Sequence, residues 1–340
     1  MLRITGDINF TDGFFDTGFG VGSSIKSGAD PFANIERKDS DFWFGNFECV
    51  CSSVSDKKGI YRRQFIISPD DMSHIRHFDL YGVANNHVMQ HGCAAYENML
   101  EYLKQRGCMY VGSKDRKSVV IEHQGKRIGI ITFSLRPENF SEMPLYWSMP
   151  EYSEIEDEIE KLSGCDFRIA YVHWGNEFIN YPYIDQKNLA HLMIDKGADI
   201  IIGMHPHVLQ GFEVYKGKYI FYSLGNFVFN MPWTPTKYAA IVNVDFSGDY
   251  PEISWDYTCI RRDYFPTRIK DEQVPAEYRF SHLNSLIDIC EENERYYAKV
   301  FENMKRYRKS NYIDILHNSL KFNMSDLNQI FLDFIRRKLS

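Results

Sequence analysis

The chain has 340 residues, 44% hydrophobic and 15% aromatic, enough for one large α/β domain with additions or for two domains, and too apolar for wholesale disorder. A formal net charge of −7 excludes the basic footprint of a general nucleic-acid binder, and no apolar stretch approaches the length of a membrane span. Seven scattered cysteines without a CxxC pair, and a chain that starts directly in a strand, predict a reduced, cytoplasmic protein with no signal peptide.

In chain order, one strand after another runs out into chemistry-bearing residues. Leu2-Arg3-Ile4-Thr5 leads into Gly6-Asp7-Ile8-Asn9, residues 41–44 lead into Gly45-Asn46-Phe47-Glu48, and residues 80–84 lead into Asn85-Asn86-His87. The spacing of Ala95, Met99 and Leu103 predicts a helix over 94–106, closed by Gly107. Gln124-Gly125-Lys126 reads as the turn of a hairpin between 119–123 and 128–133. Ile155, Ile159 and Leu162 share one face of an acidic stretch, which reads as a solvated amphipathic helix. The run 168–172 ends in His173-Trp174-Gly175, and 186–196 forms a crossover helix to Ile200-Ile201-Ile202. That run ends in Gly203-Met204-His205-Pro206-His207, where Pro206 stiffens the turn. A βαβ unit makes its strands parallel, so His173 and the His205/His207 pair open on the same edge.

A second apolar run, 219–229, carries Tyr222-Ser223-Leu224-Gly225-Asn226, and strands are expected over 238–246 and 253–259. Beyond Pro275 the pattern turns helical, with Leu283, Leu286, Ile287, Cys290 and Tyr297 on one stripe and Ser325 as the N-cap of a last helix. The expected division is residues 1–260 for the catalytic-type domain and 261–340 for a helical extension packing on it, with no site chemistry in the extension.

The carboxyl ends of strands in an α/β sheet form the functional crevice, so five such ends converge on one rim. Asp7, Glu48, Asn86, His173, His205 and His207 then offer two carboxylates, one amide oxygen and three imidazoles. That set is too rich in nitrogen for calcium or magnesium and too poor in sulfur for structural zinc; it suits Mn, Fe or Zn. Six ligands exceed the needs of one catalytic ion, so two divalent ions are the economical reading. His87 points away from its neighbour Asn86 and is read as a general acid, against the blander reading of a histidine that shapes the turn. Cys49 and Cys51 read as ordinary buried thiols.

Gly6-Asp7, Asn46-Phe47-Glu48, Ala84-Asn85-Asn86-His87, His173-Trp174-Gly175-Asn176-Glu177, Gly203-Met204-His205-Pro206-His207-Val208-Leu209-Gln210 and Tyr222-Ser223-Leu224-Gly225-Asn226-Phe227 together resemble the CapA family of capsule-synthesis proteins. The resemblance spans about the first three-quarters of the chain. It implies a four-layer αββα sandwich of the calcineurin-like metallophosphoesterase kind, with a C-terminal helical extension beyond it. It also implies a dinuclear centre ligated by Asp7, Asn86, His173, His205 and His207, with Glu48 as bridging ligand and His87 catalytic. The implied role is capsule or exopolymer biosynthesis (poly-γ-glutamate or polysaccharide), with metal-activated water attacking a phosphoester or an amide- or glycan-linked centre. Three amides depart from the pattern: Asn9 stands where such phosphoesterases place a histidine, Asn46 where they place an aspartate, and Gln90 where the capsule proteins place an aspartate. These departures motivate the alternative of a non-catalytic polymer-binding or capsule-assembly factor.

Expected substrate contacts are Arg62, Arg63, Arg136, Trp174, Glu177 and Asn226, with Tyr181, Tyr183 and Trp233 as further groove aromatics. The expected partners are an anionic polymer or phosphorylated substrate, and other capsule-synthesis proteins.

Overall fold

The computed structural model describes residues 1–141, 143–261, 264–289 and 293–339. Strand side chains alternate between two faces, and that alternation sorts the core into layers. Ile200 and Ile202 enter one cluster while Ile201 enters another; Leu2, Ile4 and Phe44 join the first, and Trp43 turns to a third.

One sheet runs in the order Pro266–Ile269, Glu252–Ile260, Tyr238–Asp245, Leu2–Ile8, Phe42–Phe47, Leu80–Gly82, Met109–Val111, with Asn226–Val228 pairing along the end of Leu2–Ile8. The other runs Phe212–Tyr215, Lys218–Phe221, Ile200–Met204, Phe167–His173, Lys126–Ser134, Ser118–His123. Leu2, Ile4 and Phe44 from the first sheet meet Ile128, Ile169 and Ile200 from the second in one cluster, so the sheets pack face to face. Tyr171 Oη donates across this gap to the Thr5 carbonyl at 2.7 Å.

Helices α1 (Val21–Lys26) and α2 (Cys93–Gln105) cover the outer face of the first sheet; α3 (Tyr152–Lys161) and α4 (Ile184–Asp195) cover that of the second. The result is the four-layer αββα sandwich. Helices α5 (Phe280–Leu283), α6 (Asn293–His317) and α7 (Met324–Leu339) follow it. Among the described residues, no helix is long and apolar enough to cross a membrane.

Several local expectations are met. The 124–126 turn has Gln124 and Gly125 at φ 49° and 74°, the left-handed pair that a two-residue hairpin demands. The Phe167–His173 and Ile200–Met204 strands are parallel, in a register that sets Met204 beside His173.

Other expectations need correction. The five ligand-bearing strand ends do not lie on one sheet: those before Asp7, Glu48 and Asn86 belong to the first, those of His173 and His205 to the second. They meet across the gap between the two. The single run expected over 219–229 is two strands, because the chain leaves the second sheet after Phe221 and enters the first at Asn226, turning at Gly225 with φ 71°. Ser325 lies inside α7, and the cap is Asn323, whose Oδ1 accepts from the Asp326 backbone N–H at 2.8 Å. The first sheet continues past residue 260 through Pro266–Ile269, antiparallel to Glu252–Ile260. Cys290 of the expected stripe lies outside the described residues.

Candidate metal centre

Strand register delivers the ligands. Asp7 pairs with Asn46 on one side and Asn226 on the other, which brings both amides beside its carboxylate. Asn46 Nδ2 donates to Asp7 Oδ1 at 2.8 Å and lies 3.3 Å from His173 Nδ1. The Asn85-Asn86-His87 turn is tied down by Asn85, which donates to Asn46 Oδ1 and the Phe47 carbonyl and accepts from the backbone N–H groups of His87 and Val88. Asn86 Oδ1 then sits 2.8 Å from His173 Nε2.

The histidine turn is held in an uncommon conformation. His205 and His207 have φ of 96° and 57°, and Phe178, whose N–H donates to the Pro206 carbonyl, has φ of 69°. Non-glycine residues at positive φ cost about 1–3 kcal/mol each and persist where the surroundings fix them. Here the Asp7 Oδ2 atom accepts from the His205 backbone N–H at 3.1 Å and lies 3.5 Å from His207 Nδ1. The imidazoles of His173 and His205 are 4.6 Å apart between ring centres.

Glu48, His173 and His205 present ligand atoms all within 4.8 Å of one another, and so do Asp7, Glu48 and His207. Glu48 belongs to both sets. Its Oε1 lies 3.7 Å from His173 Nε2 and 3.9 Å from His207 Nε2. All five side chains are buried. Among the described residues, both Glu48 oxygens and both His205 ring nitrogens make no hydrogen bond of normal geometry, Glu48 facing the Asp7 carboxylate. Buried polar atoms are rarely left so, and a carboxylate shared among imidazoles fits divalent cations of the Mn, Fe or Zn type.

Electrostatics agree with that chemistry at His173 and His205, whose rings burial keeps neutral. Burial, then the neighbouring Asp7, pushes Glu48 far above the usual carboxylate range. Burial drives His173 down to about 3 and His205 well below its ordinary value. Burial opposes the charged forms of Asp7 and His207 too, yet their mutual contact prevails, lowering the former and raising the latter. Neutral imidazoles are the form that ligates.

His87 stands beside this cluster. Its ring stacks on Phe65 at 4.3 Å, nearly parallel, and Nδ1 donates to Gln90 Oε1 at 2.8 Å. Burial lowers its pKa to about 4, against the hydrogen bond that the ring donates to Gln90. A cavity of about 310 Å³ opens here, with Asn86, His87, Glu177 and His207 in its wall.

The remaining expected substrate contacts separate. Glu177 lines the cavity. Arg136 is half-buried and donates to the Gly175 carbonyl at 3.3 Å and Asn176 Oδ1 at 3.4 Å, so it braces the His-Trp-Gly loop. Trp174 is fully buried in the core outside the second sheet, its Nε1 donating to the Tyr222 carbonyl, and does not reach the cavity. Asn226 is also fully buried and binds His207 Nδ1 at 2.9 Å, which makes it a support for a ligand instead of a substrate contact. Arg62 and Arg63 line a different pocket of about 340 Å³ with Lys26, and Arg63 pairs with Asp326 of α7. Tyr181 and Tyr183 pack on Tyr296 of α6, and Trp233 packs edge-on against Phe178.

Sequence reasoning missed Asn85, Phe178 and the contribution of α6. Met304, Tyr307, Arg308, Asn311 and Asp314 all line the cavity, so the C-terminal extension does carry site chemistry. Only the Asn85-Asn86 repeat offered a signal, since asparagine readily caps its own turn.

Residues 1–231 match the model of the family described as bacterial capsule synthesis protein PGA_cap. The chain is 35% identical over 227 residues to the capsule biosynthesis protein CapA of Bacillus anthracis, covering 60% of this chain and 54% of that protein. It is 31% identical over 216 residues to the PGA biosynthesis protein CapA of Bacillus subtilis (strain 168), covering 60% and 57% respectively. The chain thus spans little more than half the length of the curated relatives it matches. Among solved structures it is similar to a 5'-nucleotidase from Candida albicans SC5314, with a TM-score of 0.44, 12% identity, and coverage of 92% of this chain and 58% of that one.

Proposed function

The chain belongs to the bacterial capsule synthesis protein family PGA_cap, and from that premise we propose that it serves capsule or exopolymer biosynthesis through a dinuclear, hydrolase-type metal site. The observation that carries the reading is Glu48, which belongs to both triads of ligand atoms and whose two buried oxygens make no hydrogen bond of normal geometry among the described residues. Glu48 would be shared by two ions, with His173, His205 and Asn86 completing one ligand set and Asp7 and His207 the other. When bound there, divalent Mn, Fe or Zn ions supply Lewis acidity and bring the pKa of a water to about 7.

The chain's own groups do the rest. Asn226 and Asn46 orient the ligands, while the Phe178 and Phe229 rings beside His207 keep water from its flank. With Nδ1–H committed to Gln90 and the ring kept neutral by burial, His87 keeps the Nε2 lone pair to take a proton from the attacking water and pass it to the leaving oxygen of a phosphoester or acyl-linked substrate. The polymer is poly-γ-glutamate or a polysaccharide, and other capsule-synthesis proteins are the expected partners. The helices beyond the sheet act as an extension of the sandwich that closes one side of the cavity.

The test is metal analysis of protein purified without added metal, coupled to hydrolysis of a generic phosphodiester and of γ-glutamyl peptides. Two equivalents of transition metal, with turnover lost about 10²–10⁴-fold in His87→Ala, are expected. A metal-free protein with no turnover overturns the reading. A second reading, a metal-bound assembly factor without turnover, draws on Gln90 holding His87 where a carboxylate would charge it. Full metal content with no hydrolysis in any assay would favour that one.

A further inference from the structure

Helix α6 lies outside the family-matched residues 1–231, yet it walls the cavity beside the metal-ligand cluster. Tyr307 stacks on Phe178 at 4.2 Å, and Asn303 Nδ2 donates to the Phe178 carbonyl at 2.8 Å. Phe178 in turn is bonded to Pro206 between the two ligand histidines. Asn303, Tyr307, Asn311 and Asp314 recur at three- and four-residue spacing, so one face of the helix is committed to the site.

The lining chemistry is selective. Ring faces come from Phe140, Phe178 and Tyr307 among others, and amides from Asn139, Asn230 and Asn311. Asp16, Glu177 and Asp314 add three carboxylates, against Arg308 as the one Lys or Arg among the lining residues. Asn311 is 1% exposed, and among the described residues its amide meets only the neighbouring Tyr307 hydroxyl; neither its Nδ2 nor its Oδ1 makes a hydrogen bond of normal geometry. Such an amide is built to meet a polar ligand group, one that both donates and accepts.

Away from the metal-ligand cluster, a polymer with a carboxylate on every unit would meet Glu177 and the buried carboxyls of Asp16 and Asp314, which burial pushes up, with Arg308 as the one Lys or Arg in the lining. A sugar suits the same wall: its C–H faces pack on aromatic rings, and its hydroxyls donate to carboxylates and exchange hydrogen bonds with amides. We propose that this cavity takes a glycosyl unit, with its anionic ester end toward the metal-ligand cluster and its hydroxyl-bearing body held by α6 through Asn311. The inference rests on the hydrolytic reading of the cluster and narrows its substrate to a phosphorylated saccharide.

Calorimetric titration of the metal-loaded full chain tests it, with inorganic phosphate, N-acetylglucosamine 1-phosphate and a γ-glutamyl trimer as probes. The sugar phosphate is expected to bind at least about tenfold tighter than inorganic phosphate, and Asn311→Leu to erase most of that advantage. Leucine keeps the side-chain volume, and Asp314→Ala supplies a second variant should the first fail to fold. A γ-glutamyl trimer that binds more tightly than the sugar phosphate overturns the proposal. So does a sugar advantage that survives both substitutions. Metal content and binding of inorganic phosphate report on the cluster separately: loss of both overturns the hydrolytic reading, whereas phosphate binding without a sugar advantage overturns only this one.

Discussion

Asn226 Oδ1 accepts a hydrogen bond from Nδ1 of His207 at 2.9 Å, fixing Nε2 as the ring nitrogen free to ligate. The same asparagine anchors its Nδ2 on the Thr236 carbonyl at 3.2 Å, so the imidazole is oriented from the backbone outward. Groups that orient a ligand histidine are worth about 10–100-fold in metal affinity. Asn226→Ala should therefore weaken metal binding by that order, read by chelator competition, without unfolding the sandwich. Unchanged affinity would show that His207 is held by Asp7 alone.

Gln90 holds His87 through a single neutral hydrogen bond. Gln90→Ala should leave metal content intact and lower kcat about tenfold, since a misaligned proton donor loses part of a contribution worth about 10²–10⁴. Steady-state kinetics on a generic phosphodiester checks this. A fall in metal content instead would move Gln90 from the chemistry to the scaffold.

Gly203 sits where the chain leaves the second sheet, and a Cβ there would run into the Tyr222 carbonyl oxygen and Trp174 Nε1. Neither neighbour can yield, because Trp174 Nε1 is bonded to that same carbonyl at 2.9 Å. Gly203→Ala should cost about 1–3 kcal/mol, as overpacking does. In a chain of this size that is a fall of roughly 1–4 °C in Tm, measurable by calorimetry.

His77 gives a pH signature remote from the metal centre. Its ring stacks on Phe32 at 3.9 Å, and burial, with Arg37 nearby, lowers its pKa from 6.5 to about 3. The depressed folded-state value means that the unfolded chain binds the proton more readily. Stability from this group is full above pH 6.5 and is lost as pH falls toward 3, by roughly 2 kcal/mol between pH 6.5 and 5. His77→Phe keeps the stack and should flatten that acid limb in urea titrations at the two pH values. An unchanged slope would mean that other groups dominate.

The histidine side of the site was legible in the sequence because each ligand directly follows a short apolar strand, and the crossover between residues 173 and 200 fixed its direction. Glu48 was legible for the same reason, although its place between the two triads depends on two sheets meeting, which strand patterns do not encode. Trp174 and Asn226 misled, since neither adjacency to a ligand nor a place in a motif says which way a side chain turns, and both turn into the protein. Arg63 misled because its partner, Asp326, lies far away in α7. The α6 wall was out of reach: Tyr307, Asn311 and Asp314 form an ordinary amphipathic pattern, and periodicity tells which face is buried without naming what it faces.

The Leu2–Ile8 strand is flanked by Phe42–Phe47 on one side and by Tyr238–Asp245 and Asn226–Val228 on the other. The first ligand to leave the ribosome, Asp7, therefore waits for a neighbour more than two hundred residues later before its strand has both edges paired. Such distant pairing is slow to form, because the long loop must close before its contacts repay the lost entropy. Until then a strand destined for the middle of a sheet remains an open edge, available to other chains. A fragment cut at residue 231 would lack Tyr238–Asp245 and keep that edge for good. The residues that the family model leaves unmatched thus close the edge of the strand that carries Asp7, and truncations for expression should end beyond Ile269.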